Sequence, residues 1–204
     1  MRTVNPDQHE KKRRELLRAA QRRFAAEGVQ ASIASICAEA GVSPGHLYHY
    51  FPSKEAILEG LFQLVLDEAA THLSGDVQDA RDLPALVADL YSSGKGPSLL
   101  FDLLAESQRN AAIAERLRRH SAEMKQLLAS AIARGQAAGL VDDTLSAPDL
   151  ATLLLAVLDG SKAMRLRDPA VDRGHAREML LALVSRVLGT SGGRPDAGVG
   201  RRRA

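Results

Sequence analysis

The sequence predicts an all-α protein, with an N-terminal three-helix head that carries a helix-turn-helix and a larger helical domain behind it. Three observations predict this class. Apolar residues recur at three- and four-residue spacing, and strand-like alternation is absent. Alanine and leucine dominate the composition, which favours helix throughout. Glycine, serine and proline stand at the positions where helices stop and start.

In the head, helix 1 is predicted to start at Asp7, where Asp7 and Glu10 place two acids against the helix dipole. Leu16, Leu17, Ala20 and Phe24 form its buried face, and Gly28 ends it. Ser32 is the expected N-cap of helix 2, whose apolar stripe is Ile33, Ile36, Cys37 and Ala40. Gly41 closes that helix and Val42 plugs the turn. Ser43 caps helix 3 and Pro44 takes its first position, where a missing N–H costs nothing. Leu47 and Phe51 face inward, whereas Gly45, His46, Tyr48, His49 and Tyr50 are left outward. Pro52 stops the helix and Ser53 caps the next.

A short exposed helix with polar tips and a glycine near its start suits the DNA major groove. Glycine permits close approach, tyrosine hydroxyls reach phosphates, and histidine contacts a base or a phosphate. Ala40-Gly41-Val42-Ser43, followed by Leu47-Tyr48-His49-Tyr50-Phe51-Pro52-Ser53-Lys54, resembles the DNA-binding domain of the TetR family of bacterial repressors. That family shows a small residue–Gly–Val–Ser turn, then Leu-Tyr-x-x-Phe-x-x-Lys. The likeness spans residues 7–63. It implies that Ser32 and Lys54 touch phosphate, although a solvated surface lysine is the plainer reading of Lys54. One departure is Ala31, where threonine is common in the family. The expected DNA-binding set is therefore Ser32, Ser43, Pro44, Gly45, His46, Tyr48, His49, Tyr50 and Lys54.

Charge distribution agrees with a local nucleic-acid footprint. The chain has 204 residues and a net charge of only +2. Residues 1–23 hold eight lysines and arginines against three acids, a net of +5, and residues 191–204 hold four arginines against Asp196, a net of +3. The middle is consequently acidic, and a basic end can steer toward a polyanion. Arg2 in a flexible arm could reach DNA or simply fray. Lys11 to Arg14 are a solvated run that would add salt-dependent affinity in a DNA binder. Cys37 is the single cysteine, which rules out an intramolecular disulfide, and it reads as a small buried residue at a helix contact. The six histidines are scattered, without metal-ligand spacing or a nucleophile setting, so no cofactor and no enzymatic activity are expected. No stretch approaches ~20 continuous apolar residues, and no signal-peptide run opens the chain. A cytoplasmic protein without a membrane partner is expected.

The helix from about Ser53 to Leu73 is apolar on more than one face, as expected of one buried between two halves. It would span roughly 30 Å at ~1.5 Å per residue. Residues 74–82 form a polar break. Helices are then expected over Leu83–Tyr91, Ser98–Arg109, Ala111–Gly135, from Ala147 through Leu166, and Gly174–Leu188. The glycine- and arginine-rich residues 191–204 are expected to be a disordered basic tail. The domains are thus placed at 1–54 for DNA binding and 55–190 for the second function.

The last two helices are too apolar for any wide face to be wet. Leu150, Leu154 and Leu158 on one, with Leu180, Val184 and Val187 on the other, are the expected homodimer interface, a four-helix bundle with a two-fold copy; both helices serving simply as internal core is the alternative. The TetR resemblance implies the same, together with a small-molecule pocket among the middle helices. LLAESQRN and GQAAGL further resemble regulators with a betaine-repressor-like C-terminal domain. The pocket is expected at Phe62, Tyr91, Phe101, Asp102 and Glu106. Asp102 and Glu106 would meet a cationic group if they face inward; facing water, or pairing Glu106 with Arg109, is the plainer reading. So few aromatics do not make the cage a quaternary ammonium wants, and aliphatic walls suit a small apolar effector. The implied function is a sequence-specific repressor of double-stranded DNA, released from a pseudo-palindromic operator by that effector. A regulator controlled by a protein partner, or by no effector, is the alternative.

Overall fold

The computed structural model describes residues 6–73, 83–93, 98–168 and 170–189, and side chains within these except 90–93, 98 and 173. The N-terminal arm with Arg2, the polar break at 74–82 and the basic tail lie outside the described residues. Every regular element among the described residues is helical. In chain order they are α1 (Pro6–Glu27), α2 (Ile33–Ala40), α3 (Pro44–Tyr50), α4 (Lys54–Leu73), α5 (Leu83–Ser93), α6 (Ser98–Ser107), α7 (Ala111–Ala137), α8 (Ala147–Arg167) and α9 (Arg173–Val187).

The helix boundaries follow local chemistry. Ser32 Oγ accepts from the Ser35 N–H at 3.0 Å, Ser43 Oγ from His46 at 3.3 Å and Ser53 Oγ from Ala56 at 3.2 Å, so each serine satisfies an orphan donor of the helix it opens. α2 ends at Gly41 in the left-handed conformation, φ 64°. Asn110, Ser146 and Asp172 cap α7, α8 and α9 in the same way.

Packing divides into two main apolar clusters. The first joins the head: Leu16, Leu17, Ala20 and Phe24 of α1 meet Ile36, Cys37, Leu47 and Phe51. It continues across Lys54 into α4 through Ile57, Leu58, Leu61 and Leu64, and reaches Leu103 and Leu117 behind. α4 crosses α1 closely at Gly60, where a Cβ would stand 2.9 Å from a Leu17 methyl and 3.2 Å from the Phe51 ring. Ala31 is 1% exposed and belongs to this cluster, so its side chain is a packing group. The second cluster joins α5, α7, α8 and α9 around Val87, Leu128, Ile132, Leu150, Leu154 and Val184.

That second cluster corrects the expected dimer interface. Leu150, Leu154, Leu158, Leu180 and Val184 are between 0% and 4% exposed within a single chain, and Val187 packs partly buried beside them. They are internal core, because α8 lies along α7 and α9 along α5 on those faces. The same helices turn other apolar residues outward: Leu153, Met164 and Leu166 on α8, Met179 and Leu183 on α9.

α4 and α7 run parallel and are tied near both ends. Arg116 Nη1 donates to the Glu55 carbonyl at 2.8 Å, near the head. Arg134 Nη2 donates to the carbonyl of Leu73, the last residue of α4. The second arginine supplies a donor to a helix end whose carbonyls have no intrahelical partner.

Candidate nucleic-acid interface

The head buries Leu47 and Phe51 at 1% and 2% exposure and thereby turns the rest of α3 to solvent. Ser43, Pro44, Gly45, His46, Tyr48 and His49 are all exposed, Tyr48 at 48%. Ser32 is exposed at the start of α2. Ser32 and Ser43 stand exposed at two helix N-termini, and a helix N-terminus favours a phosphate. Nothing stands within 4 Å of where a Cβ on Gly45 would lie.

Tyr50 departs from the outward position expected of it. Its ring is half-buried and stacks on His9 of α1, with centroids 4.5 Å apart and planes 26° apart. His46 and His49 approach the same ring at 5.5 Å and 5.3 Å. Tyr50 therefore braces α3 against α1, and His9 joins the surface. Sequence reading missed His9, because it lies 41 positions before Tyr50 and no spacing rule links them. Lys54 is half-buried, with Nζ 5.9 Å from the centre of the Phe24 ring. Beside it, a hydrogen bond from the Ser53 side chain holds the Glu55 carboxyl below its ordinary range.

Most of the basic charge on α1 is already paired. Lys12 meets Glu15 at 3.2 Å, Arg14 meets Glu10 at 3.1 Å, Arg18 meets Glu68 at 2.9 Å and Arg22 meets Glu39 at 2.5 Å. Lys11 is exposed. Among the described residues, no group of three histidine, cysteine or acidic side chains has an arrangement that would hold a metal ion. No helix among them is long and apolar enough to cross a membrane.

The residues expected around an effector lie on α4, α5 and α6. Phe62 is half-buried against His120, ring centres 4.9 Å apart. Phe101 is half-buried on α6, and the Tyr91 side chain lies outside the described residues. Asp102 turns to the head: a Cβ on Gly28, whose φ is 72°, would fall 2.6 Å from Asp102 Oδ2. Glu106 pairs with Arg109 at 3.2 Å. Glu106 is thus engaged by Arg109, and Asp102 lies beside the Gly28 turn. An open cleft of about 340 Å³ lies between α4 and α7 instead, lined by Gln63, Leu66, Asp67, Ala70, Glu123, Gln126, Leu127 and Ser130.

Residues 16–61 match the sequence model described as bacterial regulatory proteins of the tetR family, and residues 97–189 match that of the BetI-type transcriptional repressor C-terminal domain. The chain belongs to the TetR family. As a TetR-family protein it is a DNA-binding transcriptional regulator, and its second half is of the BetI type. The HTH-type transcriptional regulator UidR of Escherichia coli is 25% identical over 185 residues, covering 88% of this chain and 94% of UidR. The structure of GusR from Salmonella enterica is 26% identical with a TM-score of 0.63, covering 93% of this chain and all of that one. A regulator structure from Saccharomonospora viridis in complex with choline is also 26% identical, TM-score 0.65, covering 86% of this chain and 96% of that one.

Proposed function

We propose that this TetR-family chain is a dimeric repressor, held on a pseudo-palindromic operator and released by a small effector. The observation that carries the reading is the surface of α3. Gly45, His46, Tyr48 and His49 are exposed on a helix whose other side is locked in the core. In the proposed mode α3 enters the major groove, with Gly45 allowing close approach and Tyr48 reaching a phosphate. His46 and His49 contact bases or phosphates, while Ser32, Ser43 and Lys54 position the backbone. Residues 1–54 form the DNA-binding unit in this reading, and 55–190 the effector and dimer unit.

Two such heads must be joined to read two half-sites about one helical turn apart. The exposed Leu153, Met164, Met179 and Leu183 on α8 and α9 are the apolar surface proposed to meet a second copy. For the effector, the similar regulator from Saccharomonospora viridis is in complex with choline, a cation. In this chain the half-buried aromatics described in the domain are Phe101 and Phe62, the latter packed against an aliphatic cluster, and an apolar molecule is the proposed ligand.

Selection of random duplexes by the purified full chain at moderate salt tests the reading. Enrichment of a two-fold symmetric motif is expected, with affinity that falls steeply as salt rises. Gly45→Glu should abolish that enrichment. Random selection, or enrichment that survives Gly45→Glu, would overturn docking through α3.

A further inference from the structure

Among the described residues, two buried side-chain nitrogens have no hydrogen-bond partner: Nε of Arg23 and Nδ1 of His120. Arg23 still pairs with Glu27 through its terminal nitrogen. His120 has no such outlet. It sits on α7 between Arg116 and Arg134, the two residues that tie α7 to α4, and closer to the head end. Its ring packs on Phe62 of α4. A buried polar atom left unpaired is costly, and few native groups are left so.

We propose that His120 is a proton-responsive element of the α4–α7 seam, through which acidification loosens α4 near the head and weakens operator binding. The proposal rests on the reading of the chain as an operator-binding regulator. Three elements surround the imidazole with charge. On its own helix stands Glu123, with Arg116 and Arg119 directed to Glu59 at 3.7 Å and 3.9 Å. From α4 comes Glu59, and from α8 come Asp159 and Lys162, which pair with each other at 3.0 Å. Burial is the largest influence and pushes the His120 pKa below the ordinary value; Lys162 adds to it, while Glu123, Asp159 and Glu59 oppose it. The packed seam thus holds a neutral imidazole. In the Nε2–H tautomer, Nδ1 carries a lone pair with no donor facing it, and this is the atom that takes a proton when the seam opens.

The sign follows from linkage. A histidine whose folded pKa is depressed binds its proton more readily once the seam opens. The seam is at full strength above the ordinary histidine value of ~6.5, and loses strength as pH falls below it. Loosening α4 gives the head orientational freedom that must be lost again on DNA, and affinity drops.

The full chain and its His120→Gln variant are compared at pH 7.5 and 5.5, with His120→Leu as a second non-titrating variant should the first fold poorly. Imidazole NMR should place the His120 midpoint below that of free histidine. Hydrogen exchange in α4 between Glu55 and Phe62, corrected for intrinsic rates, should accelerate on acidification more in the wild type than in the variant. On the selected duplex, wild type should lose several-fold more affinity on acidification than the variant, in the direction that linkage sets. The exposed histidines of the head are common to both proteins and cancel. Equal exchange responses, or a wild-type gain in affinity relative to the variant, would overturn the proposal. Failure to enrich any duplex would sink the operator reading instead, and the exchange comparison would still decide the role of His120.

Discussion

Leu153 and Leu154 are neighbours in α8, yet one is 49% exposed and the other 2%. Glutamate at each position separates the proposed interface from the core. At Leu154 the change removes a buried leucine side chain, worth about 2–5 kcal/mol, and buries a carboxylate without a partner, worth several more. The sum is of the order of a domain's whole stability, ~5–15 kcal/mol. Leu154→Glu should therefore yield largely unfolded or aggregated protein, seen as lost helical circular dichroism. At Leu153 the folded chain should change by about 0.5 kcal/mol or less. In a two-fold interface each substitution counts twice, so losing an anchor of ~2 kcal/mol per side gives ~4 kcal/mol, roughly a thousandfold in dimer dissociation. Sedimentation of Leu153→Glu should show a folded monomer with near-normal melting. A normal dimer would move the interface off this face. A folded Leu154→Glu would refute the packing of α8 on which the argument depends.

Three other outcomes are expected. Tyr48→Phe removes only a hydroxyl from an exposed ring and should weaken operator binding about five- to tenfold, roughly 1 kcal/mol, at unchanged melting temperature; full affinity in a fluorescence titration would deny Tyr48 a phosphate. Gly28→Ala should cost ~1–2 kcal/mol for a left-handed alanine, plus the crowding of Asp102 Oδ2. Adding Asp102→Ala should recover only the crowding part in chemical denaturation. Cys37, 4% exposed with a pKa raised by burial, should react with a thiol reagent at neutral pH far more slowly in native than in denatured protein; a rapid native reaction would place it at the surface.

The head was legible because its signals are local. Ser32, Ser43 and Ser53 each satisfy a donor three residues on, and Gly41 needs only its own backbone to end α2. Leu47 and Phe51, four apart, predicted the buried side of α3 and hence its exposed side. α8 was different. Leucines at 150, 153, 154, 155 and 158 wrap most of its circumference, so period alone does not say which side meets α7 and which meets solvent. Asp102 presented the same difficulty in another form. Its partner, Gly28, lies 74 positions earlier, and no spacing rule ties α6 to the turn before α2. His120 carried no motif at all; only the approach of α4 gives it meaning.

The two arginines that join α7 to α4 have a mechanical consequence. A 20-residue helix is about 30 Å long at ~1.5 Å per residue. Held to a parallel neighbour near both ends, it resists bending and behaves as a truss. If the Arg116 end yields while the Arg134 end holds, the truss swings about the far end. A swing of about 5° over that length carries the near end ~2.6 Å, close to the ~3.4 Å rise between base pairs. Small angular changes far from DNA would then arrive at the head as a displacement on the scale of one rung of the duplex.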